Sequence, residues 1–389
     1  MKKILFDFIT LQDDFINGGM LYTQKILYEL LRNNVIIYGL YDEKLPVNKN
    51  MSDITEKNKI NLLNIRDKKI FEIIDNLQID TVFIGIAQRY NVFNLCGLKC
   101  KVVVVCHDLS DLSFEYFEIN QSKSLKIFAR KCNIFETSKL KTVFKFILYP
   151  LVLVRRSYIR QKYSYANFNK LIQKSNVFVI TVSQYSKNSI QYFLDSPKND
   201  IKVYYPPAHN ENIEGNIENI YKKINRIKKY FLLVSVDRLF KNAALFFEQW
   251  DRFCSLSSSE YYCVLVGKIK VNFKNCIVID KTSSGELAFL YKNAFALIYS
   301  SFAEGFGSPP IEAAAYGTPS ICANVTSIPE ICGDMAVYFS PFYPEDLFRA
   351  MIEMTKNRDI YVEKTKKRFL KISQRQENDF GKLMGLILS

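Results

Sequence analysis

YSSFAEGFGSPPIEAAAYGTPSICANVTSIPEICGDMAVYFSP, residues 299–341, is the stretch whose reading decides the fold. The segment that leads into it, FALIYSS, has the apolar run and turn boundary of a buried strand. Gly305 and Gly307 follow, then Ser308 as the expected helix cap and Pro309 where a first helical turn tolerates proline. The helix is expected to end near Gly317, after which TPSICA resumes a strand. Glu304 precedes the turn and Glu312 lies on the helix, eight residues on. Such a turn can expose backbone N–H groups and set a carboxylate beside them, which suits a phosphate and a hydroxyl.

Working outward, the same alternation of strand and helix runs through the chain. KKILFDFIT, NVIIYGLY, TVFIGI, KVVVVCHD, NVFVITVS and IKVYYPP read as strands, and GMLYTQKILYELLR and KIFEIIDNL as helices between them. Residues 42–66 are polar and read as a loop excursion. This pattern predicts a doubly wound α/β domain over 1–205, interrupted by a basic and apolar excursion at 121–175. A polar connection at 206–227 follows, and its HNENIEGN start carries His209. A second βα domain is expected over 228–370, with strands at KYFLLVSVD, YYCVLVG, CIVID, FALIYS, PSICA and AVYFS. EDLFRAMIEMTK and a final charged helix at 371–389 complete the chain. Ligands are expected in the crevice at the strand C-termini.

The totals bound the function. At 389 residues the chain can bury the cores of two domains. Its nine cysteines are scattered without CxxC or CxxH spacing and read as small buried hydrophobes in a reducing compartment. The start MKKILFDFIT is interrupted by Asp7 and fits a first strand better than a secretory signal, and no run of eighteen apolar residues suggests a spanning helix. A cytoplasmic protein is expected.

The net charge of +14 is placed unevenly: residues 121–175 carry thirteen Lys or Arg against one acid, Glu136. An apolar run pierced by Lys145 and Pro150 and followed by Arg155, Arg156 and Arg160 suits an anionic membrane surface. A core helix with a solvated basic flank is the plainer alternative. Nucleic acid is not favoured as a partner, because no recognised nucleic-acid module is present.

Several residues stand where chemistry is done. Gly18 and Gly19 lie between the first strand and its helix, where glycines let the backbone approach a ligand; an ordinary turn explains them as well. The dinucleotide fingerprint GxGxxG is absent there, which argues against NAD. Arg238 and Lys241, in SVDRLFKNAALFF, are two cations after a strand that can neutralise a diphosphate leaving group. His107 and Asp108 end the KVVVVCHD strand, a place where ligand-facing residues gather. Ser183 reads as a loop or helix-cap contact. Two glutamates beside a sugar would also fit glycoside hydrolysis, but here both belong to one turn and helix, and two cations await a phosphate.

The run Glu304-Gly305-Phe306-Gly307, Pro310, Glu312-Ala313, Gly317-Thr318-Pro319, Ser327, Pro329-Glu330 and Gly333-Asp334 resembles the signature of glycosyltransferase family 4. These are retaining enzymes of the GT-B fold, related to bacterial mannosyl- and glucosyltransferases, with two Rossmann-like domains facing across a cleft. The resemblance is specific mainly from residue 232 onward. It implies a hexosyltransferase acting on a nucleotide-sugar donor, GDP-mannose or a UDP-hexose, and on a lipid-linked glycan of bacterial surface polysaccharide at the inner face of the cell membrane. Arg238 and Lys241 would then clamp the diphosphate, and Glu304 and His107 would orient the sugar. Glu312 would hold the ribose, with Gly18, Gly19, Phe306, Gly307 and Ser308 lining the phosphates and sugar. No cofactor or obligatory metal is implied, and no Asp-X-Asp pair stands at a persuasive strand end. The final helix would cross back to the first domain. Many relatives carry a glycine before the cationic motif, whereas this chain has Val234-Ser235-Val236. A non-catalytic glycan-binding scaffold of the same fold is the alternative class, and a basic nucleic-acid-binding protein a more distant one.

Overall fold

The computed structural model describes residues 1–12, 18–87, 95–109, 165–208, 217–256, 260–269 and 273–389. They divide into two compact units, one holding the described residues of 1–109, 158–207 and 375–389, the other those of 208–374.

The first unit is built on seven parallel strands: β1 (Lys2–Asp7), β2 (Val35–Tyr41), β3 (Asn61–Asn64), β4 (Thr81–Ile84), β5 (Lys101–Val105), β6 (Val177–Thr181) and β7 (Lys202–Val203). Their spatial order is β3-β2-β1-β4-β5-β6-β7, so the direction of winding reverses between β1 and β4. Continuous apolar runs such as KVVVV are what a sheet covered on both faces requires. Helix Gly18–Leu31 lays Met20, Ile26, Leu27 and Leu30 against Ile4, Phe6, Phe83 and Val103, and Leu383, Met384 and Ile387 from the chain end enter the same core. Lys2 Nζ donates to Leu388 O at 2.8 Å and Lys101 Nζ to Leu386 O, so two cations satisfy carbonyls that the end of the final helix leaves without partners.

Residues 42–66, expected as a loop, are structured. Asn48 caps helix Lys49–Lys57 by accepting from Met51 N at 2.9 Å, and Met51 and Ile54 are buried. Strand β3 then adds to the sheet edge beside β2. Four residues of strand and a helix with two buried apolar positions are too short to show a period against a polar background.

The second unit carries six parallel strands: β8 (Lys229–Val234), β9 (Tyr261–Val266), β10 (Cys276–Ile279), β11 (Ala296–Tyr299), β12 (Ser320–Ala323) and β13 (Ala336–Phe339). Their order is β10-β9-β8-β11-β12-β13, with the reversal between β8 and β11. Part of the chain's aromatic content, 30 Phe, 24 Tyr and one Trp, packs here. Phe231, Phe246, Trp250, Phe253 and Tyr261 form a buried cluster, with ring centroids 5.1 Å apart for Phe246–Trp250 and 5.5 Å for Phe231–Phe253. These edge-on and tilted contacts add to the area that each ring buries.

The polar connection contains a helix, Glu218–Ile224, whose Ile220 and Ile224 are buried; residues 209–216, His209 among them, lie outside the described residues. The closing helix runs Pro344–Leu388, with non-helical backbone at Asn357 (φ −123°, ψ 22°) just after the expected EDLFRAMIEMTK helix, so the final helix starts before the expected residue 371. Residues 110–164 are also outside the description, and with them the apolar run and Arg155, Arg156 and Arg160 of the basic segment. Among the described residues no helix is long and apolar enough to cross a membrane.

Candidate functional site

In an open α/β sheet the C-terminal ends of the two strands flanking the reversal splay their loops apart, and ligands sit between those loops. In the second unit these are the loops after β8 and β11, which carry Arg238 and Lys241 on one side and Glu304 on the other.

The two loops are tied together. Phe302 N donates to Phe240 O at 2.8 Å, and the Ser300 hydroxyl donates to Lys241 O at 2.7 Å. Lys241, only 9% exposed, places Nζ 2.6 Å from Glu304 Oε1 and 3.0 Å from the Tyr299 hydroxyl. The ammonium also lies 4.7 Å from the Tyr299 ring centroid. Ser301 donates its hydroxyl to the same Glu304 oxygen. Burial, and then the Glu304 charge, push the Tyr299 phenol well above its ordinary range, so it stays protonated beside the pair. Glu304 N donates to Thr326 Oγ1 at 3.3 Å, and the Ser327 hydroxyl lies 2.9 Å from Glu304 O and 3.0 Å from Phe306 O. Ser327 therefore pins the turn from below.

Backbone strain gathers in the loop after β8 and in the neighbouring loop after β12. Ser235 (φ 56°), Asn242 (φ 53°) and Thr326 (φ 55°) are non-glycine residues in the left-handed region, the last of them β-branched. Such conformations persist where surrounding contacts over-determine them, and they cluster at functional sites. Arg238 is exposed, three residues before Lys241.

The expected cap is corrected. Gly307, with φ 93°, occupies the cap position, and Ser308 is the first residue of helix Ser308–Ala314, which has no side-chain cap. A Cβ at Gly307 would find Tyr299 at 3.6 Å and Ile328 at 3.7 Å, ordinary contacts, so it is the backbone angle that calls for glycine. Glu312, partly buried on this helix, accepts a hydrogen bond at Oε2 from the Tyr291 hydroxyl at 2.9 Å.

In the first unit, the reversal between β1 and β4 holds a buried carboxylate that the sequence reading did not place in a site. Asp7 accepts from Thr10 N at 2.9 Å, from the Thr10 hydroxyl, and from Gly85 N at 2.9 Å. Gly85 O in turn lies 3.0 Å from His107 Nε2. A carbonyl only accepts, so His107 carries its proton on Nε2 in that contact. Burial lowers the His107 pKa, opposed by Asp108 and the Gly85 carbonyl. Tyr22 meets the imidazole edge-on at 5.1 Å. Ser183 caps helix Gln184–Phe193, accepting from Ser186 N at 3.0 Å. Gly18 opens helix Gly18–Leu31, and a Cβ there would meet nothing within 4 Å. Gly19 O accepts the Thr23 hydroxyl at 2.8 Å.

Lys241 and Glu304 are thus brought into direct contact, with Arg238, Phe306, Gly307, Ser308 and Glu312 on the same or the next turn of chain. Gly18, Gly19 and His107 gather separately at the C-terminal edge of the first sheet. Sequence reading missed Tyr299, Ser301 and Tyr291. A tyrosine ending an apolar strand was the available signal for Tyr299, whereas Tyr291 looks like any core aromatic. Asp7 was visible as an acid inside an apolar strand. Among the described residues, no group of three or more His, Cys, Asp or Glu side chains is placed to hold a metal ion.

This architecture has counterparts among known proteins. Residues 216–375 match the family model described as glycosyl transferases group 1. The O-antigen chain mannosyltransferase RfbU of Salmonella typhimurium is 31% identical over 166 residues, which are 40% of this chain and 44% of that protein. The match therefore spans less than half the length of that curated relative. Among solved structures, sucrose-phosphate synthase from Thermosynechococcus elongatus superposes with a TM-score of 0.67 at 10% identity, covering 99% of this chain and 98% of the other. HepE from Anabaena in complex with UDP-glucose gives 0.65 at 12% identity, over 99% and 100% of the two chains. At such identities the structures speak for the fold alone. Through residues 216–375 the chain is related to the group 1 glycosyl transferases, on a GT-B fold of two Rossmann-like domains.

Proposed function

We propose that the protein is a hexosyltransferase that moves a sugar, with retention, from a nucleotide-sugar to a lipid-linked glycan in surface-polysaccharide assembly. The observation that carries this reading is the buried Lys241–Glu304 pair at the reversal of the second sheet, with Arg238 three residues before it and Glu312 eight residues beyond. Cations at that edge suit a departing nucleoside diphosphate, because fixed positive charge is worth most where negative charge develops. Arg238 and Lys241 stabilise the leaving phosphate as its bond to the anomeric carbon breaks. Glu304, released from Lys241 as the ammonium turns to phosphate, accepts from the sugar hydroxyls. Glu312 receives the ribose hydroxyls, and the turn at Phe306, Gly307 and Ser308 presents backbone N–H groups.

His107, Gly18 and Gly19 are assigned to sugar and phosphate contacts. With Nε2–H committed to Gly85 O, the remaining nitrogen of a neutral His107 can only accept, and so it takes a hydroxyl proton in a hydrogen bond. The acceptor hydroxyl attacks from the face that the phosphate leaves, and a phosphate oxygen takes its proton. GDP-mannose or a UDP-hexose is the favoured donor, in keeping with the mannosyltransferase relative and the UDP-glucose complex of HepE. Residues 1–205 carry the acceptor, 228–370 the donor, and the basic segment 121–175 rests on an anionic membrane at the cytoplasmic face.

The test is a binding screen of the purified protein against GDP-, UDP- and dTDP-sugars with and without EDTA, alongside Arg238→Ala and Glu312→Ala. Selective binding that survives EDTA and weakens in both variants supports the reading. A folded protein that binds no sugar nucleotide refutes it.

A further inference from the structure

Glu312 lies on the seven-residue helix Ser308–Ala314, and the backbone alone does not fix the terminal torsion of a glutamate. Its orientation comes from elsewhere. Tyr291, on helix Ser284–Asn293, is 2% exposed and donates its hydroxyl to Glu312 Oε2 at 2.9 Å. The tyrosine is itself locked. Its carbonyl accepts the Thr318 hydroxyl at 2.6 Å, and its ring stacks on Tyr316 with 13° between planes. At the other end of the helix, Ser283 and Glu286 form a reciprocal capping box that fixes the start of the segment. A chain of contacts thus runs from the Gly317–Pro319 turn through Thr318 and Tyr291 to one carboxylate oxygen.

That chain has a chemical consequence. A carboxylate that grips two adjacent hydroxyls must hold one rotamer, because each freely rotating bond is entropy lost on binding. A buried phenol on one oxygen sets the carboxylate plane before any ligand arrives. Burial and the Glu312 charge raise the phenol's pKa well above the ordinary range, so it remains a donor at every working pH. A phenylalanine would fill nearly the same volume and remove only the hydroxyl.

We propose that Tyr291 is a positioning residue for ribose recognition, acting through Glu312 to make the site select a nucleotide that carries the 2′-hydroxyl. This rests on the donor-site reading given above, and deepens it.

The experiment measures UDP, GDP and their 2′-deoxy counterparts by calorimetric titration against wild type, Tyr291→Phe, Glu312→Ala and the double variant, with circular dichroism and melting recorded for each. Loss of one hydrogen bond to a charged group predicts about tenfold weaker ribonucleotide binding in Tyr291→Phe. Discrimination against the 2′-deoxy form is expected to shrink in parallel. The double variant is expected to bind like Glu312→Ala alone, because Tyr291 acts only through that carboxylate. Tyr291→Phe binding and discriminating as wild type does would overturn the proposal. So would a double variant that loses the product of the two single effects, which is what general loosening of the fold produces. If wild type binds neither diphosphate, the donor-site reading falls and takes the proposal with it, an outcome distinct from a silent Tyr291→Phe.

Discussion

Replacing Lys241 by methionine isolates the pair at the centre of the site. The ammonium sits 2.6 Å from Glu304 Oε1, and the two side chains are 10% and 14% exposed. Removing one partner of a fully buried ion pair costs about 3–5 kcal/mol, because the remaining charge is left without compensation. Here Ser301 still donates to the carboxylate and a little water reaches it, so we expect the loss to be about 2–4 kcal/mol. For a domain of this size that corresponds to a fall in melting temperature of roughly 5–15 °C. The assay is differential scanning calorimetry of wild type, Lys241→Met, Glu304→Leu and the double variant. Apolar replacement of both partners removes the stranded charge, so the double variant is expected to recover most of the loss while binding no sugar nucleotide. A Lys241→Met variant destabilised by less than about 1 kcal/mol, the range of an exposed pair, would refute the claim that the charges are buried against each other. A double variant no more stable than the single would do the same.

Three further outcomes follow from the first unit. Ile387→Ala removes a fully buried side chain where the end of the closing helix enters the first core, and is expected to cost about 2–5 kcal/mol in chemical denaturation. Gly85→Ala would place a Cβ 2.0 Å from Thr23 Oγ1, an overpacking loss of about 1–3 kcal/mol that Thr23→Ala relieves in part. His107 has its pKa lowered by burial from the ordinary 6.5, so below that value the unfolded chain binds a proton that the folded one does not. Its contribution to stability is therefore complete above about pH 6.5 and is lost as the pH falls toward the folded-state value, and urea melts of His107→Gln between pH 7 and 5 should show a flatter slope than wild type.

How far the sequence carried the fold depended on signal length. Runs such as KVVVV and KYFLLV announced parallel strands because four or five consecutive apolar residues leave little else to be. The Asn48-capped helix and β3 escaped notice because the helix buries only Met51 and Ile54 and β3 no more than half-buries Leu62 and Leu63. In the candidate site, Arg238, Lys241 and Glu304 stood out in the sequence, since cations and carboxylates after strands contrast with an apolar background. Their supports did not. Tyr291, Tyr299 and Ser301 act through hydrogen bonds to partners between 3 and 58 residues away, and nothing in local composition marks a tyrosine as holding a glutamate. The assignment of Ser308 as cap failed because Gly307, free to take φ 93°, moved the helix start by one residue. The positive φ at Ser235 and Thr326 likewise has no local sequence signature, whereas asparagine at 242 is a residue type that tolerates it.

The most direct test of the account is a crystal structure of the protein with the nucleoside diphosphate that binds it best. The account predicts the diphosphate against Arg238 and Lys241, the ribose hydroxyls on Glu312, and Glu304 parted from Lys241 toward the sugar position. A diphosphate bound away from the loops after β8 and β11, with the Lys241–Glu304 contact unchanged, would contradict it.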